Sequence, residues 1–330
     1  MQLAVLNPGG RDREQSFPDF AGFPGAVTSH SPVNYHAYAA CIGGTFYRDP
    51  ARIPPTQREV LLILRRDLKH CLKTLKQLKA DGKKVAVSLK ESGLHQVAKI
   101  LNDSENLLLF REICAAADGA LASTSDLVGI YTAAGAKSSR FIPTPYPVDS
   151  DKWNFTLPLA QRSGIFIGTR EWDTPSRNHA AALLLAASLN APVTVINEDG
   201  RAGRKRIEAI GLANPQIIEG RLPYPDYLRL VARNRILFQL DRSAVPGQVA
   251  GDALLAGIPC IGGDGAIDRI AFPDICSYAR DPQSLHEIAA TLLQNDQACE
   301  SASAQSRQLA LTHLSFPTIS QSLADYFTNL

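Results

Sequence analysis

Between residues 59 and 142, short aliphatic runs alternate with stretches whose apolar residues recur every three or four positions. The runs at 60–64, 84–89, 119–122 and 140–142 predict buried strands, and the segments 67–80, 93–101, 105–116 and 125–134 predict amphipathic helices. Strands separated by helices pair in parallel, with helices covering the sheet. The pattern stops at Pro143-Thr-Pro-Tyr-Pro-Val-Asp and resumes at Ile165, because prolines at that density remove backbone donors and favour extended chain. Strands at 164–168, 192–196, 216–218, 235–240 and 259–261 then alternate with helices at 178–189, 202–210, 225–232 and 248–256. Beyond Pro282 the periodicity is all helical, at 285–293, 297–311 and 318–327. The expectation is an α/β chain of two doubly wound domains, 1–150 and 151–312. The halves share an architecture and no sequence repeat.

Residues 9–55 break this order. They are rich in Gly, Pro, aromatic and polar residues, and a long irregular segment inside a compact domain is either a ligand-binding loop system or an excursion of the first strand and helix.

Composition narrows the class. With 330 residues, 45% hydrophobic and 20% charged, the chain can bury a core in each half. Its formal charge of +2 gives no footprint for coating a nucleic acid, so no nucleic-acid partner is expected. The six cysteines have no C-x-x-C spacing and no histidine at ligand distance, which predicts buried thiols in a reducing compartment, without a disulfide framework or zinc knuckle. The start lacks a basic n-region and reads as a first strand, so a cytoplasmic location is expected. Peripheral contact with the membrane's inner face stays open because of one helix. Over 65–83 it carries Arg65, Arg66, Lys69, Lys73, Lys76, Lys79 and Lys83 along one stripe, which suits either anionic lipid or a solvated helix face.

In an open parallel sheet, ligands bind beyond the carboxyl ends of the strands, so the loops that follow strands carry the candidate chemistry. After the first strand, Gly9 and Gly10 allow backbone N–H groups to approach an anion or a sugar; the same pair also fits a simple turn. The dinucleotide fingerprint G-x-G-x-x-G is absent, which counts against a dehydrogenase. Arg170 leaves the first strand of the second half and Arg177 opens the next helix, so both cations can meet a diphosphate, or serve as surface arginines. Gly247 begins a helix whose free N–H groups suit phosphate. Glu91, His95 and Asp12 are candidates for a base or for hydrogen bonds to a sugar. Asp149-Ser-Asp151 has the spacing of a metal motif but lies in the proline linker, so no metal site is expected.

These motifs together resemble the GT-B glycosyltransferases, most closely their large retaining group. There a strand ends in Gly-x-Arg, a Lys or Arg follows before Asn or Gly, and a Glu pair eight positions apart leads into Ala-x-Ala-x-Gly-x-Pro. This chain has Gly168-Thr-Arg170, Arg177-Asn178 and Asp252-Ala-Leu-Leu-Ala-Gly-Ile-Pro259. The end of the first domain matches through 117–126, Gly135 and 141–149. The resemblance runs from about residue 116 to 263. It departs at the glutamate pair, whose positions hold Ala244 and Asp252, leaving Asp241, Arg242 or Ser243 to replace the first. The resemblance implies two Rossmann-like domains facing across a cleft, with a helix at 313–330 returning toward the first. It also implies sugar transfer from a nucleotide diphosphate sugar to an acceptor hydroxyl, without metal and without a cofactor beyond the donor. In that reading Gly9, Gly10, Arg170, Arg177, Asp241, Gly247 and Asp252 hold the nucleotide sugar, and the acceptor is a glycan, a lipid-linked sugar or a small molecule. The alternative is a catalytically silent module that keeps the fold for binding or scaffolding.

Overall fold

The computed structural model describes residues 3–22, 24, 31–65, 67–90, 93–168, 172 and 174–330. The chain forms two compact units, one of Met1–Asp149, Ala244–Pro246 and Leu314–Leu330, the other of Ser150–Ser243 and Gly247–His313.

The first unit is built from β1 (Leu3–Leu6), β2 (Gln15–Ser16), α1 (Tyr35–Ala40), β3 (Thr45–Tyr47), β4 (Glu59–Leu64), α2 (Leu68–Ala80), β5 (Lys84–Leu89), α3 (Leu94–Leu101), α4 (Ser104–Ala116), β6 (Gly119–Ala122), α5 (Val128–Ala133) and β7 (Ser139–Phe141). The sheet order is β2-β3-β1-β4-β5-β6-β7, parallel except for the antiparallel edge strand β2. Strand side chains alternate between faces. Ala4, Leu6, Val60, Leu62 and Leu64 pack with the α2 leucines, whereas Leu3, Val5, Leu61 and Ile63 pack with Tyr35, Tyr38 and the last helix of the chain.

The irregular segment 9–55 contains two short strands, β2 and β3, and the helix α1, which periodicity does not disclose. All six residues of α1 are buried, so no polar face marks it as a helix. It is held by polar side chains instead. Tyr38 Oη donates to Ile142 O at 2.8 Å, and His36 stacks on Phe46 while its Nε2–H reaches Arg13 O at 2.7 Å.

The basic stripe on α2 meets acids. Lys69 pairs with Glu105 and Lys76 with Glu112, both at 2.7 Å, and Lys79 pairs with Asp118 at 2.6 Å. Lys83 is buried, donating to Pro54 O at 2.7 Å and Gln57 O at 2.8 Å. Such pairs contribute little to stability each, but they place acids beside three of the cations that a basic face would offer a lipid. Arg66 lies outside the described residues.

The second unit follows the same logic with β8 (Ile165–Ile167), α6 (His179–Ala187), β9 (Val193–Asn197), α7 (Gly200–Ile210), β10 (Gln216–Glu219), α8 (Tyr224–Ala232), β11 (Ile236–Phe238), α9 (Gln248–Ala256), β12 (Cys260–Ile261), α10 (Ala266–Ala271), α11 (Pro282–Gln294) and α12 (Asp296–His313). Its sheet is wholly parallel, in the order β10-β9-β8-β11-β12. The final helix α13 (Phe316–Thr328) packs in the first unit, where Phe316, Ile319, Leu323 and Phe327 cover one face of the sheet. All six cysteines are buried free thiols. Among the described residues no helix is long and apolar enough to cross a membrane.

Each sheet reverses its strand order once, between β1 and β4 in the first unit and between β8 and β11 in the second. At such a switch point adjacent loops diverge to opposite faces and leave a crevice at the strand ends.

Candidate functional site

In the second unit the switch point brings together the segment after β8 and the segment after β11. Asn178 adopts a left-handed conformation with φ 50° and donates from Nδ2 to Leu240 O at 2.9 Å. That turn sets Arg177 beside Asp241, and the two form a hydrogen-bonded ion pair. Asp241 is 5% exposed, and its second oxygen accepts from Ser243 N at 2.8 Å and from the Ser243 hydroxyl. The guanidinium is thereby fixed at the strand end with its charge compensated. Arg170 lies outside the described residues.

Gly247 precedes α9 with φ 95°, a conformation that costs a residue with a Cβ. Ala244, where the resemblance has a glutamate, also has positive φ, 48°. Asp252 lies inside α9 and is 2% exposed; its Oδ1 accepts from Tyr224 Oη at 2.5 Å. The carboxylate that was expected to face ribose is therefore already bonded to a tyrosine that begins α8.

The first unit gathers a second polar group. Asn7, Arg65 and Lys90 are the residues immediately after β1, β4 and β5, three adjacent strands. Asp12 accepts from Lys90 Nζ at 2.5 Å and from Asn7 Nδ2. Burial pushes the Asp12 carboxyl up, but Lys90, with His36 and Arg65, more than offsets this and holds it below its ordinary value. A carboxylate so held is a weak base and a good acceptor of hydrogen bonds from hydroxyls. Asn7 is fully buried, and its Oδ1 has no hydrogen-bond partner among the described residues.

Gly9 turns the chain at φ 66°, and Gly10 runs close beneath this group: a Cβ there would lie 2.9 Å from Arg65 Nη1 and closer to Asn7 Nδ2. Gly10→Ala is expected to displace Asn7 from Asp12 and to cost about 1–3 kcal/mol of stability, as overpacking does. Urea unfolding checks this against Gly129→Ala, where a Cβ meets nothing within 4 Å and the change should not destabilise. His95 lies half-buried on α3 with no hydrogen-bond partner for Nε2 among the described residues; Glu91 lies outside them.

Of the expected site residues, the structure joins Gly9, Gly10 and Asp12 in one cluster and Arg177 and Asp241 in another. Sequence reading passed over Asn7, Tyr224 and Asp268 and set Arg65 in the basic stripe of the following helix. Counting one residue past each strand would have exposed Asn7, Arg65 and Lys90. Among the described residues, no group of three His, Cys, Asp or Glu side chains gathers as metal ligands.

The two Rossmann-like units have the GT-B glycosyltransferase fold. Solved structures of trehalose-6-phosphate synthases share it. The UDP-forming α,α-trehalose-phosphate synthase of Burkholderia xenovorans matches with TM-score 0.63 and 12% identity over 84% of this chain and 75% of that one. The E. coli enzyme bound with UDP-2-fluoro glucose matches with TM-score 0.62 and 12% identity over 82% and 73%. The Burkholderia multivorans synthase matches with TM-score 0.62 and 8% identity over 84% and 73%. No family model matches the sequence, and no curated protein matches it.

Proposed function

We propose that this protein is a glycosyltransferase that moves a sugar from a nucleotide diphosphate sugar, with UDP-glucose the first donor to test, to the hydroxyl of a small acceptor. The observation that carries the proposal is the fold shared along more than four-fifths of the chain with synthases of which one is described bound with UDP-2-fluoro glucose. The second unit supplies what a departing diphosphate needs. Arg177 stands at the strand end, and the backbone N–H groups that open α9 follow Gly247. Charge that develops on the leaving group is met there by a fixed cation and by backbone dipoles. Arg170 would add a second cation, Asp252 the ribose contact, and Gly9 with Gly10 a close backbone approach to the sugar.

The first-unit cluster supports an acceptor with an anionic group. Lys90 and Arg65 bring two cations against one carboxylate, and Asp12 offers its oxygens to hydroxyls. One synthase of the same fold is described in complex with glucose-6-phosphate, which makes a phosphorylated hexose the first acceptor to try. His95 and Glu91 remain candidates for sugar contacts.

The test is nucleotide release, measured with UDP-glucose and GDP-mannose against hexose phosphates. Release of UDP only when donor and acceptor are both present supports transfer, and binding without release would turn the reading to a silent module. Catalysis is expected to need no metal and no cofactor beyond the donor. Activity should survive excess EDTA and the changes Asp149→Ala and Asp151→Ala; loss on chelation that magnesium or manganese restores would refute this.

A further inference from the structure

Behind the Gly247 turn lies a buried carboxyl that the chemistry above does not use. Asp268 of α10 is 1% exposed. Its Oδ1 accepts from Gln239 Nε2 at 3.1 Å and its Oδ2 from Gly265 N at 3.1 Å. Two glycine backbones close on it. A Cβ on Gly247 would stand 2.9 Å from Oδ2, and one on Gly263 would overlap Oδ1. The carboxyl thus fills the space between the end of β12 and the turn that opens α9. Gln239 is 2% exposed, and its Oε1 has no hydrogen-bond partner among the described residues. An acceptor left over beside a carboxyl suits the protonated acid, whose O–H can donate to the amide oxygen once the amide is turned over.

We propose that Asp268 is a positioning residue for the diphosphate-binding turn: its carboxyl sets the spacing of the Gly247 and Gly263 backbones, and its charge, when present, opposes the donor. The inference rests on the donor reading above. Burial, followed by the charge of Asp241, pushes this carboxyl from an ordinary 3.8 up to about 7. The sign is set by the like charges. Below that value the acid is neutral and the turn accepts a dianionic diphosphate unopposed; above it a buried negative charge faces the ligand, so donor affinity falls as pH rises.

Other charged groups surround the site. Asp241 is tied to Arg177 and Asp252 to Tyr224. Asp264 precedes α10 and is tied to Arg269 at 2.9 Å, and Cys260 on β12 is a buried thiol whose value is raised well above the ordinary. The segment 272–281 packs on Gly262 and Gly263 and carries Asp274 and Arg280. From α12, which packs on α10, come the exposed Glu300, Arg307 and His313. Of these, His313 is the one imidazole.

The test is calorimetry of UDP-glucose binding between pH 5.5 and 8.5, since the diphosphate of that donor stays fully ionised throughout. Wild type should lose about tenfold in affinity across this range. Asp268→Asn cannot ionise; once the Gln239 amide is turned over, its Nδ2 donates to Gln239 Oε1 and its Oδ1 accepts from Gly265 N, as the neutral acid would, so it should bind nearly independently of pH. His313→Gln should keep the wild-type slope. If Asp268→Asn does not fold, Gln239→Met serves, because loss of the amide donor should move the wild-type midpoint to higher pH. Parallel slopes in wild type and Asp268→Asn, or an unmoved midpoint in Gln239→Met, would overturn this inference while leaving the donor reading intact. Absence of UDP-glucose binding at every pH would overturn that reading and the inference with it.

Discussion

Arg177→Ala is expected to lower the unfolding free energy by about 2–3 kcal/mol and to weaken nucleoside diphosphate binding by about 10- to 100-fold. The first effect comes from the partner. Asp241 is 5% exposed, and without the guanidinium its carboxylate keeps, among the described residues, only the Ser243 bonds. Removing one member of a buried pair leaves an uncompensated charge, and the loss is discounted here because Arg177 is 20% exposed on its side chain. The second effect comes from the ligand. A charge-assisted hydrogen bond to an anion contributes about 1.5–3 kcal/mol, and the orphaned carboxylate would repel the diphosphate as well. Chemical denaturation and calorimetry with UDP separate the two when the double variant Arg177→Met with Asp241→Leu is included. Replacing both charges by apolar side chains should restore most of the stability and none of the affinity. Recovery of affinity in that double variant would remove Arg177 from the diphosphate site, and adding Arg170→Ala to Arg177→Ala should deepen the binding loss without further unfolding.

The next largest effect is expected at Asp252. Asp252→Ala strips the Tyr224 hydroxyl of its acceptor in a part-buried setting and should cost about 1–2 kcal/mol in stability. If the same carboxylate holds ribose, nucleotide affinity should fall by about 1.5–3 kcal/mol as well, and a 2′,3′-dideoxynucleotide should not register the change. Tyr224→Phe divides these roles. It removes the internal bond and leaves the carboxylate in place, so ribose binding should hold or tighten while stability drops. Equal affinity in wild type and Asp252→Ala, measured with UDP, would show that Asp252 serves the α8–α9 packing alone.

Much of the alternation from residue 59 onward was legible because strands such as β4 and β5 are runs of aliphatic residues and helices such as α2 and α8 keep a polar side toward water. Strand β4, expected at 60–64, spans Glu59–Leu64, and α9 spans Gln248–Ala256 as expected. The helix α1 and strand β3 were not legible. Tyr35, His36 and Tyr38 are buried and bonded through their polar atoms, so residues that read as loop chemistry serve the core. The basic stripe of α2 shows the converse. Its charges were countable, yet the acids that answer three of them lie on α4 and at the start of β6, more than thirty residues away.

By itself the sequence determined the α/β class, the alternation of strands and helices in both halves and the thiol state of the cysteines, and it marked the loops after the strands as candidates. These follow from local quantities, namely hydrophobic period, turn residues and the distance in sequence between like motifs. Only the tertiary structure decided which polar groups meet. Strand order places Asn7, Arg65 and Lys90 side by side, although they are separated by dozens of residues, and it turns Arg177 onto Asp241 and Tyr224 onto Asp252. Asp268 gives the sharpest case. In sequence it is a helix-capping acid near a turn, and it becomes a carboxyl titrating at about 7 only when β11, β12 and the Gly247 turn close around it and exclude water, so that its ionisation costs the folded protein free energy that no local pattern encodes.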